Sequence, residues 1–158
     1  MEFVNPLALD RTISQILSPD DFIQEMKAKH IINKPKDTYG KTVKGLCRIS
    51  TTWMIQRLKR WGLDTHAIVA EGYYRGRPTC WLIFGDHFFD LTLAQFVENA
   101  PQLSIMKREN GEKAHIYSIG RTVPAREWVA ELDEKTSPFA NFIREIKEFS
   151  TAKLTFHF

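Results

Sequence analysis

The sequence predicts an α+β fold in which N-terminal helices pack against an antiparallel sheet. Three observations lead to this prediction. Helix-start signals fill the first third of the chain, alternating strands joined by tight turns fill the middle, and helix starts recur afterwards. The chain has 158 residues, 43% of them hydrophobic and 26% charged, which fits one globular domain over residues 1–158.

Two helices are predicted before the first strand. Ser-Pro-Asp-Asp at 18–21 is typical of a helix start, because serine caps, proline suits the first turn and aspartate favours the positive helix end. This helix should reach Lys29, and the polar stretch 33–45 should be a loop. The second helix should begin near Leu46-Cys47 and end at Gly62. Its apolar residues recur at three- and four-residue spacings, so it is amphipathic and packs on another element.

The middle of the chain predicts two consecutive hairpins. Strands are expected at 66–74, 79–84 and 87–91, with turns at 75–78 and at Gly85-Asp86. Thr-Leu-Ala-Gln at 92–95 matches a capping box, so a short helix should start there. The later predictions are strands at 103–106 and 114–118, helix starts near Pro124 and at Ser137-Pro138, and a final strand or packed tail at 154–158.

Cys47 is the first candidate for chemistry, because it stands where a helix is predicted to begin. The positive end of a helix stabilises a thiolate, which is the nucleophilic form of cysteine. Gly45 and the loop before it would let a substrate approach. The alternative is a packing role, since free cysteine is among the most buried residue types.

Asp90 is the second candidate, and its surroundings carry a family resemblance. The sequence Gly-Leu-Cys-Arg-Ile-Ser-Thr-Thr-Trp at 45–53, then a hairpin and Asp-Leu-Thr-Leu-Ala-Gln-Phe at 90–96, resembles the core of the transglutaminase-like branch of the papain-like superfamily. In that family a cysteine at a helix start is followed by a strand carrying His-x-Trp and a strand ending in Asp-x-Thr. The resemblance covers residues 40–96. A plain turn residue is the alternative for Asp90.

The resemblance implies a thiol site and a set of roles. Cys47 would attack an amide carbon, a histidine would transfer the proton, and Asp90 would orient that histidine. Backbone N–H groups at the helix start would bind the developing oxyanion. The sequence departs from the pattern at Thr79, which stands where His-x-Trp places the histidine. Threonine cannot act as a base near neutral pH.

His87 is a less favoured base. If Gly85-Asp86 is a two-residue turn, alternation along the strands turns His87 away from the face shared by Thr79 and Asp90. It also lies beyond the far end of the predicted helix, which is ~21 Å long. As a metal pair, His66 and His87 lack obvious further ligands, and the two cysteines lack zinc spacing, so no metal is predicted.

The remaining histidines and Cys80 have no motif that assigns them a role. Cys80 is predicted to belong to the core, with redox pairing to Cys47 as the alternative. The histidines are expected to be surface or packed residues that could still reach the cleft: His30, His115 and His157.

The sequence therefore predicts cysteine-nucleophile amide or acyl chemistry, by a deamidase, peptidase or acyltransferase, on a protein or peptide substrate. The alternative is a catalytically inactive scaffold that binds a protein partner through loop 33–45 or the basic hairpin tip at Arg75 and Arg77. No cofactor is expected. Nucleic-acid binding is the weakest alternative, because the net charge is only +3 and no recognised motif is present.

The setting expected for the chain is cytoplasmic. No apolar run approaches the ~18 residues of a membrane span, so no membrane association is expected. The N-terminus lacks the pattern of a secretory signal. The 2 cysteines of the chain are too few to predict a disulfide framework. Export by a signal-less route and the oligomeric state are left open by the sequence.

Overall fold

The computed structural model describes residues 11–109, 118–132 and 140–147. Within these residues, helices precede and follow a five-stranded antiparallel sheet, so the predicted α+β class is confirmed. None of the helices in the described ranges is long and apolar enough to cross a membrane.

Helices dominate the chain before the sheet. The start of α2 confirms its predicted cap, because the Ser18 side chain accepts a hydrogen bond from the Asp21 N–H at 3.4 Å. The long helix begins at Cys47, as predicted, and the chain leaves it through Trp61 and Gly62. The helices of this part are α1 (Arg11–Ile16), α2 (Pro19–Ala28), α3 (Tyr39–Thr42) and α4 (Cys47–Arg60).

The helix α3 corrects the prediction that 33–45 is a loop without regular structure. Thr38 caps this single turn by accepting a hydrogen bond from the Lys41 N–H at 3.2 Å. The turn packs so closely on the chain after the third strand that a Cβ atom on Gly40 would lie 2.2 Å from the Ala94 carbonyl oxygen. Tertiary contact therefore stabilises a helical turn that is too short and polar to show helical periodicity.

The sheet has the strand order β4-β3-β2-β1-β5, and all neighbours are antiparallel. Phe84 pairs with His87, which confirms the predicted two-residue turn at Gly85-Asp86. The strands are β1 (Ala67–Tyr74), β2 (Arg77–Phe84), β3 (His87–Asp90), β4 (Ser104–Lys107) and β5 (Ser118–Pro124).

The turn of the first hairpin is shorter than predicted. Tyr74 pairs with Arg77, so only Arg75 and Gly76 form the turn, and Pro78 belongs to the strand. Arg75 and Gly76 have φ angles of 45° and 81°, the left-handed backbone that a two-residue type I′ turn requires at both positions. The proline suggested a longer turn, but a strand end tolerates proline.

The short helix predicted to start at 92–95 forms as a 3₁₀ helix (Leu93–Gln95) with Thr92 at its N-cap, but the predicted capping-box hydrogen bond is absent. The Thr92 hydroxyl donates to the Asp90 carboxylate at 3.1 Å instead of capping the turn. The Gln95 side chain accepts a hydrogen bond from the Gly45 N–H at 3.0 Å. The side chains of Thr92 and Gln95 therefore have partners in Asp90 and Gly45 rather than in the short helix itself.

Strand alternation separates the core into two clusters, one on each face of the sheet. The face towards α4 buries Trp53, Leu58 and Leu82, and the opposite face buries Trp81 and Phe88. Fully burying one such side chain contributes about 1.5–3 kcal/mol relative to leaving it exposed. The prediction that α4 packs on another element is therefore confirmed, but its amphipathic character is wrong, because Gln56 and Lys59 are buried and Trp61 is 64% exposed. The packing sets the first residue of α4 against β2.

Other predicted elements have mixed outcomes. The strand expected at 103–106 is β4, and the helix expected near Pro124 is α5 (Ala125–Glu131). Residues 140–147 are helical and form α6. The helix start at Ser137-Pro138, the terminal segment 154–158 and most of the strand predicted at 114–118 lie outside the described residues.

Candidate functional site: the Cys47 pocket

The candidate site is a surface pocket of about 470 Å³ at the start of α4. Cys47 is the first residue of that helix and is partly exposed. Thr79 lies in the same pocket. The walls come from α4 (Cys47, Arg48), β1 (Glu71–Tyr73), β2 (Pro78–Cys80) and β5 (Gly120, Arg121).

The start of α4 is built to present a thiol to this pocket. Leu46 occupies the cap position, and leucine has no polar side-chain atom that could bind the N–H groups of the first turn. Those N–H groups have no carbonyl partner within a helix. They give the helix start a partial positive charge, which stabilises an anionic sulfur.

Groups on β2 lower the pKa of the Cys47 thiol. A side-chain hydrogen bond from the Cys80 thiol lowers the pKa of Cys47 to about 6, against the opposing effect of burial. The Cys80 backbone N–H lowers the pKa of Cys47 further, whereas the charge of Asp90 raises it. The Thr79 hydroxyl also lowers it, by the smallest of these effects. Cys47 is therefore largely a thiolate at neutral pH.

Cys80 is the protonated member of the pair. It is only 5% exposed, and its hydrogen bond to Cys47, followed by burial, raises the pKa of Cys80 well above its ordinary value. The negative charge of Cys47 acts in the same direction. The shared proton therefore stays on Cys80, where it stabilises the Cys47 thiolate.

Thr51 connects the backbones that carry the two cysteines. Its buried hydroxyl donates to the Cys47 carbonyl oxygen at 2.8 Å and lies 3.5 Å from the Cys80 carbonyl oxygen. The same hydroxyl lies 3.6 Å from the Cys80 sulfur. The Thr51 hydroxyl thus connects the first turn of α4 with β2 at Cys80.

Strand alternation decides which β2 side chain faces Cys47. Cys80 and Leu82 lie on the α4 face, whereas Trp81 and Ile83 lie on the other face. Thr79 belongs by alternation with Trp81, although it lines the pocket and is only 6% exposed. Within the described residues, its hydroxyl has no partner at ordinary hydrogen-bond geometry. Cys80 therefore has the contact with Cys47 that the family resemblance would give to histidine.

Asp90 is buried at the end of β3 and forms a tight turn with Thr92. One carboxylate oxygen accepts hydrogen bonds from the Thr92 N–H at 2.8 Å and from the Thr92 hydroxyl at 3.1 Å. Asp90 is near enough to the thiols for its charge to raise the pKa of Cys47. Asp90 therefore stabilises the turn that follows β3. Its role in orienting a catalytic histidine stays a prediction.

The segment after Asp90 holds the segment before Cys47. The Gln95 side chain accepts from the Gly45 N–H, and the Tyr39 hydroxyl donates to the Leu91 carbonyl oxygen at 2.7 Å. Burial, followed by the charge of Asp90, raises the pKa of Tyr39, so its hydroxyl keeps its proton. Sequence reasoning missed this role of Gln95, because the capping-box spacing gave the side chain a local partner.

The mouth of the pocket carries paired charges. Glu71 binds Arg121 through a salt bridge and lies 3.8 Å from Arg48, and Arg121 also binds Glu131 at 2.9 Å. Burial acts to raise the pKa of Glu71, but hydrogen bonds from Arg121 and Trp128 together with the arginine charges lower it overall. Glu71 is therefore a carboxylate at neutral pH, and the pocket mouth is close to charge-balanced.

The described histidines lie elsewhere in the fold. His87 pairs with Phe84, five residues along β2 from Thr79, which is about 17 Å of strand. Burial, followed by the charge of Lys107, lowers the pKa of His87. His30 and His66 do not line the Cys47 pocket, and His115 and His157 lie outside the described residues.

No metal centre is formed by the part of the chain that the structure describes, because no three His, Cys, Asp or Glu side chains there are grouped suitably. Comparisons of the chain with protein-family models, with curated proteins and with solved structures find no match. The groups that can carry chemistry at this site are a thiol of lowered pKa at a helix start and a protonated thiol on the facing strand.

Proposed function

We propose that the protein performs cysteine-nucleophile acyl chemistry at Cys47 on a protein or peptide substrate. The observation that carries the proposal is the position of the Cys47 thiol at the start of α4 in a surface pocket, where its pKa is lowered chiefly by Cys80. A thiol with a pKa of about 6 is roughly 90% ionised at pH 7. Attack on a carbonyl carbon then needs no general base, so Thr79 in place of a histidine does not prevent it.

The proposed reaction has two steps. The Cys47 thiolate attacks the acyl carbon, and N–H groups of the first turn of α4 stabilise the oxyanion that develops. Collapse of this intermediate expels the leaving group and leaves the acyl group on Cys47 as a thioester. An amine or water then attacks the thioester and loses a proton to the solvent, which releases the acylated product and regenerates the Cys47 thiolate.

Among deamidation, peptide hydrolysis and acyl transfer, we favour acyl transfer from a thioester. A thiolate leaving group departs without a proton, whereas the nitrogen of an amide must be protonated as it leaves. Cys80 holds the proton nearest to Cys47, but its pKa is raised well above the ordinary value, so it is a weak acid. Substrates that expel a thiolate are therefore suited to this pair.

The experiment is to incubate the protein with a peptide thioester and, separately, with the matching peptide amide, and to measure intact mass. We expect an acyl adduct from the thioester that maps to Cys47 and is absent in Cys47→Ala. Urea-unfolded protein serves as the control for an unassisted thiol. Acylation no faster in folded than in unfolded protein would contradict the proposal.

The second candidate is a protein-binding module without catalysis. It is favoured by Thr79, which lines the Cys47 pocket and stands where the family resemblance places the catalytic histidine. The basic hairpin tip would offer a contact surface, since Arg75 lies over Tyr74, Arg77 lies over Phe96, and Tyr73 is 48% exposed. This candidate would be favoured if the wild-type protein forms no acyl adduct and if wild type and the Cys47→Ala variant bind the peptide with equal affinity.

A further inference from the structure

We propose that Cys47 and Cys80 form a reversible internal disulfide by exchange with a low-molecular-weight disulfide, and that this bond switches the Cys47 pocket off. The effect on acyl chemistry rests on the proposed function, whereas the disulfide itself does not. Cys47 and Cys80 line the same pocket at the interface of α4 and β2, and the Thr51 hydroxyl reaches the backbone of both.

The two thiols are held together by elements that do not need to move. Cys47 begins α4, and Cys80 lies on the face of β2 that α4 covers. The Thr51 hydroxyl binds the Cys47 carbonyl oxygen at 2.8 Å and reaches the Cys80 carbonyl oxygen at 3.5 Å. Since disulfides form only between side chains whose backbones are already close, this fixed contact favours the bond.

Exposure assigns different parts to the two cysteines. Cys47 is partly exposed and lines the open pocket, so an external disulfide can reach its sulfur. Cys80 lines the same pocket but is only 5% exposed, so an external disulfide reaches its sulfur much less readily than that of Cys47. This is the arrangement of an attacking thiol and a resolving thiol.

The exchange has two balanced steps. The Cys47 thiolate attacks one sulfur of the external disulfide, which forms a mixed disulfide on Cys47 and releases one thiolate. That thiolate takes the proton of Cys80, and the Cys80 thiolate then attacks the Cys47 sulfur and expels the second thiolate. Both protein thiols are oxidised, and the external disulfide is reduced to its two thiols.

The bond would remove the nucleophile and its strongest hydrogen-bond donor together. The Cys80 thiol that lowers the pKa of Cys47 becomes the partner of the covalent bond. The bond would join two residues of the α4 and β2 walls, whereas the walls from β1 and β5 contribute neither cysteine. Reduction by a thiol restores the thiolate, so the change is reversible.

The test uses the full chain equilibrated in buffers of oxidised and reduced glutathione, quenched with acid, alkylated and measured by intact mass and peptide mapping. We expect wild type to lose two hydrogens and to yield a Cys47–Cys80 linked peptide. The mapping is unambiguous because the chain holds 2 cysteines. A wild-type protein that stops at the glutathione adduct, or stays fully alkylated, would overturn the inference.

Variants distinguish the attacking role of Cys47 from the resolving role of Cys80. Cys80→Ala should accumulate the glutathione adduct on Cys47 without resolving it, whereas Cys47→Ala should form neither product at a comparable rate. Thr79→Val is the matched control, because it alters the pocket but keeps both thiols, and it should still form the disulfide. If Cys80→Ala does not fold, the wild-type mass measurement decides alone.

Acyl uptake from the peptide thioester is measured in parallel on oxidised and reduced protein. We expect uptake to be lost on oxidation and restored by dithiothreitol. A protein that forms the disulfide but is never acylated keeps this inference and loses the proposed function. A protein that is acylated but never forms the disulfide loses this inference alone.

Discussion

The pKa of Cys47, which is lowered chiefly by Cys80, can be measured from the pH dependence of alkylation. The rate of iodoacetamide labelling at Cys47 should rise with pH around a midpoint of about 6 and level off above neutrality, because only the thiolate reacts. Cys80 should label far more slowly at every pH, because it is buried and keeps its proton. A midpoint for Cys47 near that of an ordinary thiol would contradict the assigned contacts.

Two β2 substitutions should shift this midpoint by different amounts. Cys80→Ala removes the largest effect that lowers the pKa of Cys47, so the midpoint should move upward. Thr79→Val removes the smallest and should move it less in the same direction. The measurement is the pH profile of labelling at Cys47 in each folded variant. Equal shifts would mean that Thr79 and Cys80 are equivalent partners of the thiol.

At the scale of elements, the segment before α4 is fixed by contact with the segment after β3. Gln95→Ala should leave the Gly45 N–H without its acceptor, which costs about 1 kcal/mol of folding free energy. It should also slow Cys47 labelling in the folded protein, because the start of α4 becomes less ordered. Urea unfolding and labelling rates measure the two effects. Gln95→Glu keeps an acceptor oxygen and should restore most of both.

The backbone on either side of α4 offers a matched pair of substitutions. Gly45 and Gly62 have φ angles of 79° and 72°, and a Cβ atom at either position would meet no neighbour within 4 Å. Gly45→Ala and Gly62→Ala should therefore each cost about 1–2 kcal/mol from backbone strain alone. Only Gly45→Ala should change labelling at Cys47, since Gly62 lies at the other end. Equal labelling in both variants would contradict this.

The elements show where sequence reasoning succeeds and where it stops. Local signals were sufficient for α2 and for the second hairpin, because a cap and a two-residue turn are set by neighbouring residues. They were insufficient for Gln95, whose partner Gly45 is distant in the sequence. They were also insufficient for the residue facing Cys47, because alternation alone does not say which face of β2 the helix will cover.

At the scale of the whole molecule, one buried carboxylate joins the far end of α4 to α5. Asp64 is 2% exposed, accepts from Arg126 at 3.1 Å and lies 3.9 Å from the buried Lys59 amine. Asp64→Ala should cost roughly 1.5–3 kcal/mol, because it removes the buried charged acceptor that Arg126 and Lys59 share. Arg126→Ala should cost about 0–1 kcal/mol, because Arg126 is half exposed.

Urea unfolding midpoints of the Asp64 and Arg126 variants test this difference. The pH profile of Cys47 labelling should be unchanged in whichever variant folds, because Asp64 precedes β1 at the end of α4 opposite the thiol. A larger loss in Arg126→Ala than in Asp64→Ala would show that the buried position of the carboxylate is not what matters.

The close packing of α3 on the chain after β3 has a consequence for how this sequence can diverge. Because any side chain at position 40 would collide with the Ala94 carbonyl oxygen, substitutions there require the two segments to separate. Separation would break the Gln95 contact that precedes Cys47. Distant relatives that retain the pocket should therefore keep glycine at 40 and glutamine at 95 as a pair, and lose them together. That paired spacing is a more discriminating search pattern than the cysteine alone.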